Sequence, residues 1–180
     1  MLTCADNSRR LFLGGLFGAA AVPAAALQST PALVRALRKG GQVVYFRHAA
    51  TTWSGIDQID WPRERQRLLS DLGIAQSRQV GEAFRAHDIP VGEVLASPFA
   101  RCRDMAEVAF GRVEERMELL GLLSDDDGHA DRVAYLRGKL TEPPRDGTNR
   151  IIGSQRSNIA QVAGVSLAEG EGAVIAPGTR

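Results

Sequence analysis

Gln42 to Thr52 reads Q-V-V-Y-F-R-H-A-A-T-T, and this stretch sets the expected fold. The β-branched and aromatic run from Val43 to Phe46 is short and follows two glycines, which predicts a buried strand rather than a helix. The run ends at Arg47 and His48, and ligands of α/β proteins usually bind at the carboxyl ends of strands. An arginine can bind phosphate oxygens through two donors, and a neutral imidazole can attack phosphorus. The pair therefore suits a phosphoryl group, the alternative being a salt-bridged arginine beside a structural histidine.

Composition and charge are those of one ordinary globular domain. The chain has 180 residues, of which 44% are hydrophobic and 24% charged. Lys and Arg number 22 against 21 Asp and Glu, and this balance argues against nucleic acid as a partner, because backbone binding needs a basic face. Of the two cysteines, Cys4 precedes the predicted domain and Cys102 stands alone within it. We therefore expect no disulfide.

The amino-terminal residues have the pattern of an export signal. Ser8 to Leu13 reads S-R-R-L-F-L and opens onto a short apolar stretch, with an A-x-A pattern at Ala24 to Ala26. This predicts a cleavable signal at residues 1–26, a single domain at residues 27–180 and no stable membrane span after cleavage. The paired arginines resemble a twin-arginine signal, which implies the twin-arginine export machinery as a partner and a periplasmic or otherwise exported protein. A generic secretory signal or a short hydrophobic anchor is the alternative.

Strand and helix patterns alternate through the rest of the chain. A helix is predicted at Pro31 to Lys39, and residues 53–67 are predicted to form a loop over the end of the first strand. The other predicted elements are helices at 74–87, 102–110 and 131–140 and strands at 93–96, 150–153 and 173–176, the last a candidate for the sheet edge. This alternation predicts a three-layer α/β/α sandwich around a mostly parallel sheet.

A second strand-to-helix junction carries another cation. The segment Ser97-Pro98-Phe99-Ala100-Arg101 follows the strand at 93–96. Arg101 therefore lies near a helix N-terminus, whose free amide donors favour an anion. If the two strands are neighbours in the sheet, Arg47, His48 and Arg101 converge.

Three consecutive aspartates form an acidic cluster at residues 125–127. Near a pocket they could supply a general acid or bind a cation. They also fit a solvated loop and the N-cap of a helix, and both interpretations stay open.

Three motifs together resemble those of the histidine phosphatase superfamily, which includes phosphoglycerate mutases and phosphohistidine phosphatases. The superfamily's Arg-His-Gly-x-Thr is similar to residues 47–51, R-H-A-A-T. Its Leu-Ser-x-x-Gly is similar to residues 69–73, L-S-D-L-G, and its Ser-Pro-x-x-Arg to residues 97–101, S-P-F-A-R. Order and spacing fit over residues 41–165, which implies a phosphoglycerate mutase-like fold.

The resemblance implies a role for each motif residue. His48 would accept the phosphoryl group of a small phosphorylated substrate, Arg47 and Arg101 would hold its oxygens, and no metal or cofactor would be needed. Thr51 and Asn158 would bind the substrate. A carboxylic acid would protonate the leaving oxygen and needs a raised pKa. Asp125 is favoured for that role over the other acids of the interval, which are Glu118, Asp126 and Asp127.

One motif departs from the pattern. The superfamily's Gly-His-x-x-Asn appears as residues 154–158, S-Q-R-S-N, so Gln155 replaces the second pocket histidine. Glutamine can donate a neutral hydrogen bond, but charge-assisted bonds are about twice as strong. Loss of one such donor lowers rates by about 10²- to 10³-fold in oxyanion holes.

Two hypotheses follow from this replacement. The first is an exported phosphomonoester hydrolase, a histidine-type acid phosphatase that forms a phosphohistidine intermediate on His48. The second is a catalytically impaired protein of the same fold that binds a phosphate ligand or a partner.

Overall fold

The structure, a computed structural model, describes residues 24–122, 128–145 and 147–178. Most of the predicted signal at residues 1–26 lies outside the described residues, as does Asp125, so both stay predictions. Within the described ranges, every helix is too short or too polar to span a bilayer.

One sheet organises the described chain. Its strands are β1 (Val43–Arg47), β2 (Val91–Ala96), β3 (Glu114–Glu115), β4 (Asn149–Ser154) and β5 (Gly172–Ile175). They lie in the order β3-β2-β4-β1-β5, with β5 antiparallel to β1 at the edge and the other pairs parallel. The four predicted strands are present and the sheet is mostly parallel, as expected. Only β3 has no signal in the sequence, because its two glutamates are exposed and show no apolar alternation.

Five helices surround this sheet in the described part of the chain. They are α1 (Ala24–Arg38), α2 (Asp71–Ala86), α3 (Ala100–Phe110), α4 (His129–Thr141) and α5 (Arg156–Ala163). The first helix begins earlier than predicted, because alanine has the highest helix propensity and extends the helix through Pro31 despite the backbone bond that proline removes. The last helix was outside the prediction, since its eight residues are too few to show a helical period.

The side chains of β1 alternate between two cores. Val44 and Phe46 pack with α2 and α3 on one face, and Val43 and Tyr45 pack with α4 and α5 on the other. This period of two is that of a strand buried on both sides. The predicted three-layer α/β/α sandwich is thereby confirmed.

The strand order places three loops side by side. Because β4 lies between β1 and β2, the residues that follow these strands meet at one edge of the sheet. The amide of His48 donates to the carbonyl oxygen of Ser154 at 3.0 Å, and that of Ser97 donates to Gly153 at 2.9 Å. Backbone hydrogen bonds therefore continue between the strands to the point where the loops separate.

Candidate active site

A cavity of about 480 Å³ lies at this carboxyl edge of the sheet. Arg47, His48, Arg101 and Gln155, all singled out from the sequence, line it together. Convergence of the first three was predicted on the condition that β1 and β2 are neighbours in the sheet. They are not, because β4 lies between them, but both flank β4 and the residues after them still line one cavity. The loop at residues 53–67 also reaches the cavity, through Gly55, Ile56, Asp57 and Arg67.

The loop that carries His48 is supported by the start of α2. The amide and hydroxyl of Ser70 donate to the carbonyl oxygen of Ala50 at 3.0 and 3.2 Å. The same hydroxyl caps the helix by accepting from the amide of Gly73 at 3.2 Å. A Cβ atom on Gly73 would overlap the Ala50 carbonyl, so this close approach requires glycine. The Leu-Ser-x-x-Gly motif thus holds the Arg-His motif in place.

His48 is held as a neutral imidazole. It is 3% exposed, and its Nδ1 lies 2.9 Å from the carbonyl oxygen of Ala49. A carbonyl oxygen only accepts hydrogen bonds, so Nδ1 carries the proton and Nε2 keeps its lone pair. Burial, aided by the positive charges of Arg101 and Arg47, lowers the pKa of His48 to about 3, although the Ala49 bond opposes the shift. The imidazole is therefore available as a nucleophile across the physiological range.

The lowered pKa of His48 predicts how stability depends on pH. As pH falls below 6.5, the unfolded chain takes up a proton on this residue, while the folded chain does so only near its pKa of about 3. The unfolded state then binds more protons, so the free energy of unfolding decreases as pH falls, by up to about 1.4 kcal/mol per pH unit from this group.

Urea unfolding of the chain and of a His48→Asn variant between about pH 4 and pH 7 measures this contribution. The free energy of unfolding is expected to depend less steeply on pH in the variant than in the unmodified chain. Parallel curves for the two proteins would contradict the lowered pKa.

Arg101 forms a buried ion pair with Asp57. Its Nη1 donates to Oδ1 and Oδ2 at 2.9 and 2.8 Å, and the two side chains are 6% and 2% exposed. The amide of Arg67 also donates to Oδ2 at 2.9 Å. The Nε atom of Arg101 is buried and has no hydrogen-bond partner among the described residues. A bound oxyanion would supply that partner.

Glu169 joins two further arginines at the cavity. Its Oε1 accepts from Nη2 of Arg47 at 3.3 Å and from Nη2 of Arg67 at 3.1 Å. Arg47 also donates from Nη1 to the carbonyl oxygen of Leu167 at 3.0 Å. Sequence reasoning missed Asp57, Arg67 and Glu169, since each lies in a loop without a recognisable motif and meets its partner only across the fold.

The two predicted substrate-binding residues lie outside the cavity lining. Thr51 donates to the carbonyl oxygen of Trp53 at 2.9 Å and accepts from Arg67 at 2.7 Å. Asn158 is fully buried, accepts from the amide of Leu122 at 3.2 Å and donates to the carbonyl oxygen of Leu120 at 2.8 Å. Because their polar atoms bond to neighbouring segments, both residues hold loops in place in this structure.

Both polar atoms of the Gln155 side-chain amide form hydrogen bonds within the protein. Its Nε2 lies 3.3 Å from both Ser97 Oγ and Cys102 Sγ, and its Oε1 accepts from Ser154 Oγ at 2.8 Å. Burial raises the pKa of the Cys102 thiol to about 12, so that neighbour is neutral as well. Gln155 stands where the motif has a second histidine. It therefore brings no positive charge to the cavity, and its amide nitrogen is already hydrogen-bonded to the protein.

The predicted general acid lies outside the described residues. Gly121 lines the cavity, and Asp125 follows it shortly afterwards in the chain. Its assignment as the acid stays a prediction. Among the described residues, no group of three or more His, Cys, Asp or Glu side chains is arranged to hold a metal ion.

The charges around the cavity suit a dianion. Four guanidinium groups line it, and two carboxylates pair with three of them. These side chains are Arg47, Arg67, Arg101, Arg156, Asp57 and Glu169. Their net charge of +2 equals in magnitude the charge of a phosphate monoester dianion.

The three-layer fold, with an Arg-His pair at a strand end beside a cationic cavity, is the histidine phosphatase fold of phosphoglycerate mutase-like proteins. Residues 43–127 match the family model of the histidine phosphatase superfamily, branch 1. The matched segment is 85 of the 180 residues, just under half of the chain, so the chain is similar to that superfamily over this segment. No curated protein is significantly similar to it in sequence.

Solved structures share this fold at low sequence identity. A candidate alpha-ribazole-5'-P phosphatase from Escherichia coli str. K-12 substr. MG1655 has a TM-score of 0.52 and 15% identity, over 74% of this chain and 89% of that one. The protein TTHB049 from Thermus thermophilus has a TM-score of 0.51 and 17% identity, over 74% and 92%. The ecdysone phosphate phosphatase from Bombix mori, solved with tungstate, has a TM-score of 0.50 and 14% identity, over 68% and 76%. At these identities the similarity is one of fold.

Proposed function

We propose that this protein is a phosphomonoester hydrolase that forms a phosphohistidine intermediate on His48. The observation that carries the proposal is the neutral, buried imidazole, whose Nδ1 is bonded to Ala49 while its Nε2 keeps a lone pair beside a cationic cavity. A neutral imidazole is the form that can attack phosphorus.

In the first step, the Nε2 lone pair of His48 forms a bond to phosphorus and the ester P–O bond breaks. The leaving oxygen takes the bonding electrons and a proton. Arg47 and Arg101 stabilise the charge on the other phosphoryl oxygens, because donors that are already positioned act without reorganisation. Asp125 remains the candidate that protonates the leaving oxygen.

In the second step, a water molecule attacks the phosphorus atom of phosphohistidine. The P–N bond breaks, its electrons return to Nε2, and the water gives a proton to the carboxylate that protonated the leaving oxygen, which restores the acid. Inorganic phosphate leaves and His48 is again neutral. The cycle consumes only ester and water.

The pH range of activity and the cellular location form part of the same proposal. Because the pKa of His48 is lowered to about 3, the nucleophile stays unprotonated in mildly acidic solution, which supports a histidine-type acid phosphatase. The S-R-R-L-F-L segment at residues 8–13 supports export by the twin-arginine machinery and a periplasmic location. A small phosphorylated molecule is the proposed substrate.

Trapping of the intermediate tests the proposal. The full chain is mixed with a phosphomonoester labelled with ³²P, quenched rapidly in alkali and separated from free label. A phosphoramidate bond survives alkali and is cleaved in acid, so we expect protein-bound label that acid releases. Turnover with acid-stable label, or with no bound label at the earliest quench times, would contradict the phosphohistidine intermediate.

A second candidate function is favoured by one observation. The amide of Gln155 is bonded to Ser97, Cys102 and Ser154, which supports a protein that binds a phosphate ligand without turning it over. Such a protein would bind inorganic phosphate. In the trapping experiment it would acquire no covalent label from the phosphomonoester.

A further inference from the structure

Most positive charges at the cavity are already paired. Arg101 is bound to Asp57, and Arg47 and Arg67 share Glu169. Each of these guanidinium groups is therefore partly neutralised before any ligand arrives.

Arg156 differs from the other three arginines. It lines the same cavity and is exposed, and among the described residues its side chain forms neither a hydrogen bond nor an ion pair. Burial lowers the pKa of Arg47, and the positive charge of Arg156 lowers it further, so the two guanidinium groups lie close enough to interact. The charge of Arg156 therefore acts on Arg47, the residue next to His48 in the chain.

Arg156 directly follows Gln155, the residue that stands where the motif has a second histidine. Gln155 is the extended residue before α5, with φ −97° and ψ 160°, and Arg156 is the first residue of the helix. Arginine has a long side chain with several rotatable bonds and a planar group of five donors. It can therefore reach an anion beside Gln155 from the mouth of the cavity.

We propose that Arg156 donates to the transferring phosphoryl group and supplies the positive charge that Gln155 cannot supply. This inference rests on the proposed function, because it concerns the same phosphoryl transfer. The role is electrostatic: Arg156 forms no covalent bond and stabilises charge on the phosphoryl oxygens while the P–O bond breaks. An arginine that acts in this way from the edge of a phosphoryl-transfer site raises kcat by about 10³- to 10⁵-fold in other enzymes.

Replacement of Arg156 provides the test. In the full chain, Arg156→Ala is expected to lower kcat by about 10²-fold or more with a smaller change in KM, since the interaction strengthens in the transition state. Arg156→Lys, which keeps the charge and loses the planar fork, is expected to retain part of the rate. Arg78→Ala removes an exposed arginine of α2 that does not line the cavity, and it serves as the matched control.

A second substitution separates catalysis from structure. Gln155→His restores an ionisable donor beside Arg156, so it is expected to recover much of the rate lost in Arg156→Ala and to add less in the wild-type background. A purely structural role for Arg156 would not produce this rescue. Vanadate affinity, measured by calorimetry, is expected to fall in Arg156→Ala and to stay unchanged in Arg78→Ala.

The results also separate this inference from the proposed hydrolase. Vanadate binding that depends on Arg156, in a chain that hydrolyses no phosphomonoester, would contradict the hydrolase and support only the contact of Arg156 with the anion. Equal turnover by the chain and Arg156→Ala would support the hydrolase and overturn the inference. Equal vanadate affinity in the two proteins would overturn it as well.

Discussion

Substitution of His48 by asparagine is expected to lower phosphomonoester turnover by about 10⁴- to 10⁶-fold, the scale on which enzymes lose rate when a covalent nucleophile is removed. The imidazole is the attacking group in the proposed mechanism. An amide side chain has no nucleophilic nitrogen that could replace Nε2, because its nitrogen lone pair is delocalised into the carbonyl group. Asparagine is preferred to alanine because its amide nitrogen can still donate to the carbonyl oxygen of Ala49, the present partner of Nδ1. The loss is therefore one of chemistry rather than of loop support.

Steady-state turnover measures the effect, and phosphate release is followed over long times to reach the low rates of the variant. His87→Asn changes an exposed histidine at the end of α2 and is the matched control, with no expected change in rate. Circular dichroism checks that both variants are folded. Equal turnover by His48→Asn and the unmodified chain would exclude His48 as the nucleophile.

Substitution of Asp57 by alanine is expected to lower the free energy of unfolding by about 3–5 kcal/mol. The carboxylate accepts two hydrogen bonds from Nη1 of Arg101, at 2.9 and 2.8 Å, and both side chains are almost fully buried. Its removal leaves a buried guanidinium group without its counter-ion. This loss is large compared with the stability of a typical domain, which is about 5–15 kcal/mol.

A double variant distinguishes the charge effect from the loss of packing. Asp57→Ala combined with Arg101→Met removes both charges, so it is expected to be more stable than Asp57→Ala alone. Glu115→Ala breaks the exposed Arg103 pair of 3.4 Å and is expected to cost less than about 1 kcal/mol. Urea unfolding measures all three variants. A double variant no more stable than the single one would show that the ion pair is not what Asp57 contributes.

Short-range patterns were sufficient to predict the strands that build the site. The apolar runs that became β1, β2 and β4 are buried in the sheet, and a strand buried on both faces shows itself as a continuous apolar segment. The residues directly after such strands do meet, although β1 and β2 are separated by β4 and are not the neighbours that the prediction required. Arg47, His48 and Arg101 line one cavity because the topology of a parallel sheet places its carboxyl ends together.

The structure shows a supporting contact for two polar motif residues whose role in substrate binding stays a prediction. Thr51 and Asn158 were expected to bind substrate, and in the structure their side chains bond to neighbouring loops outside the cavity lining. A motif identifies residues that a site needs. It does not distinguish a residue that contacts the ligand from one that holds a loop, since both are polar and both follow strands.

The amino-acid sequence by itself determined the layered α/β architecture, the position of the Arg-His pair and the replacement at Gln155, because these depend on local periodicity and on neighbours in the chain. Only the tertiary structure decided how the charges are paired. Asp57 reaches Arg101 across 44 positions, and Glu169 reaches Arg67 across 102. Such contacts depend on how loops fold over a finished sheet, and no local pattern encodes that geometry. For the same reason, only the folded chain distinguishes Arg156, whose charge is unpaired among the described residues, from the other arginines of the cavity.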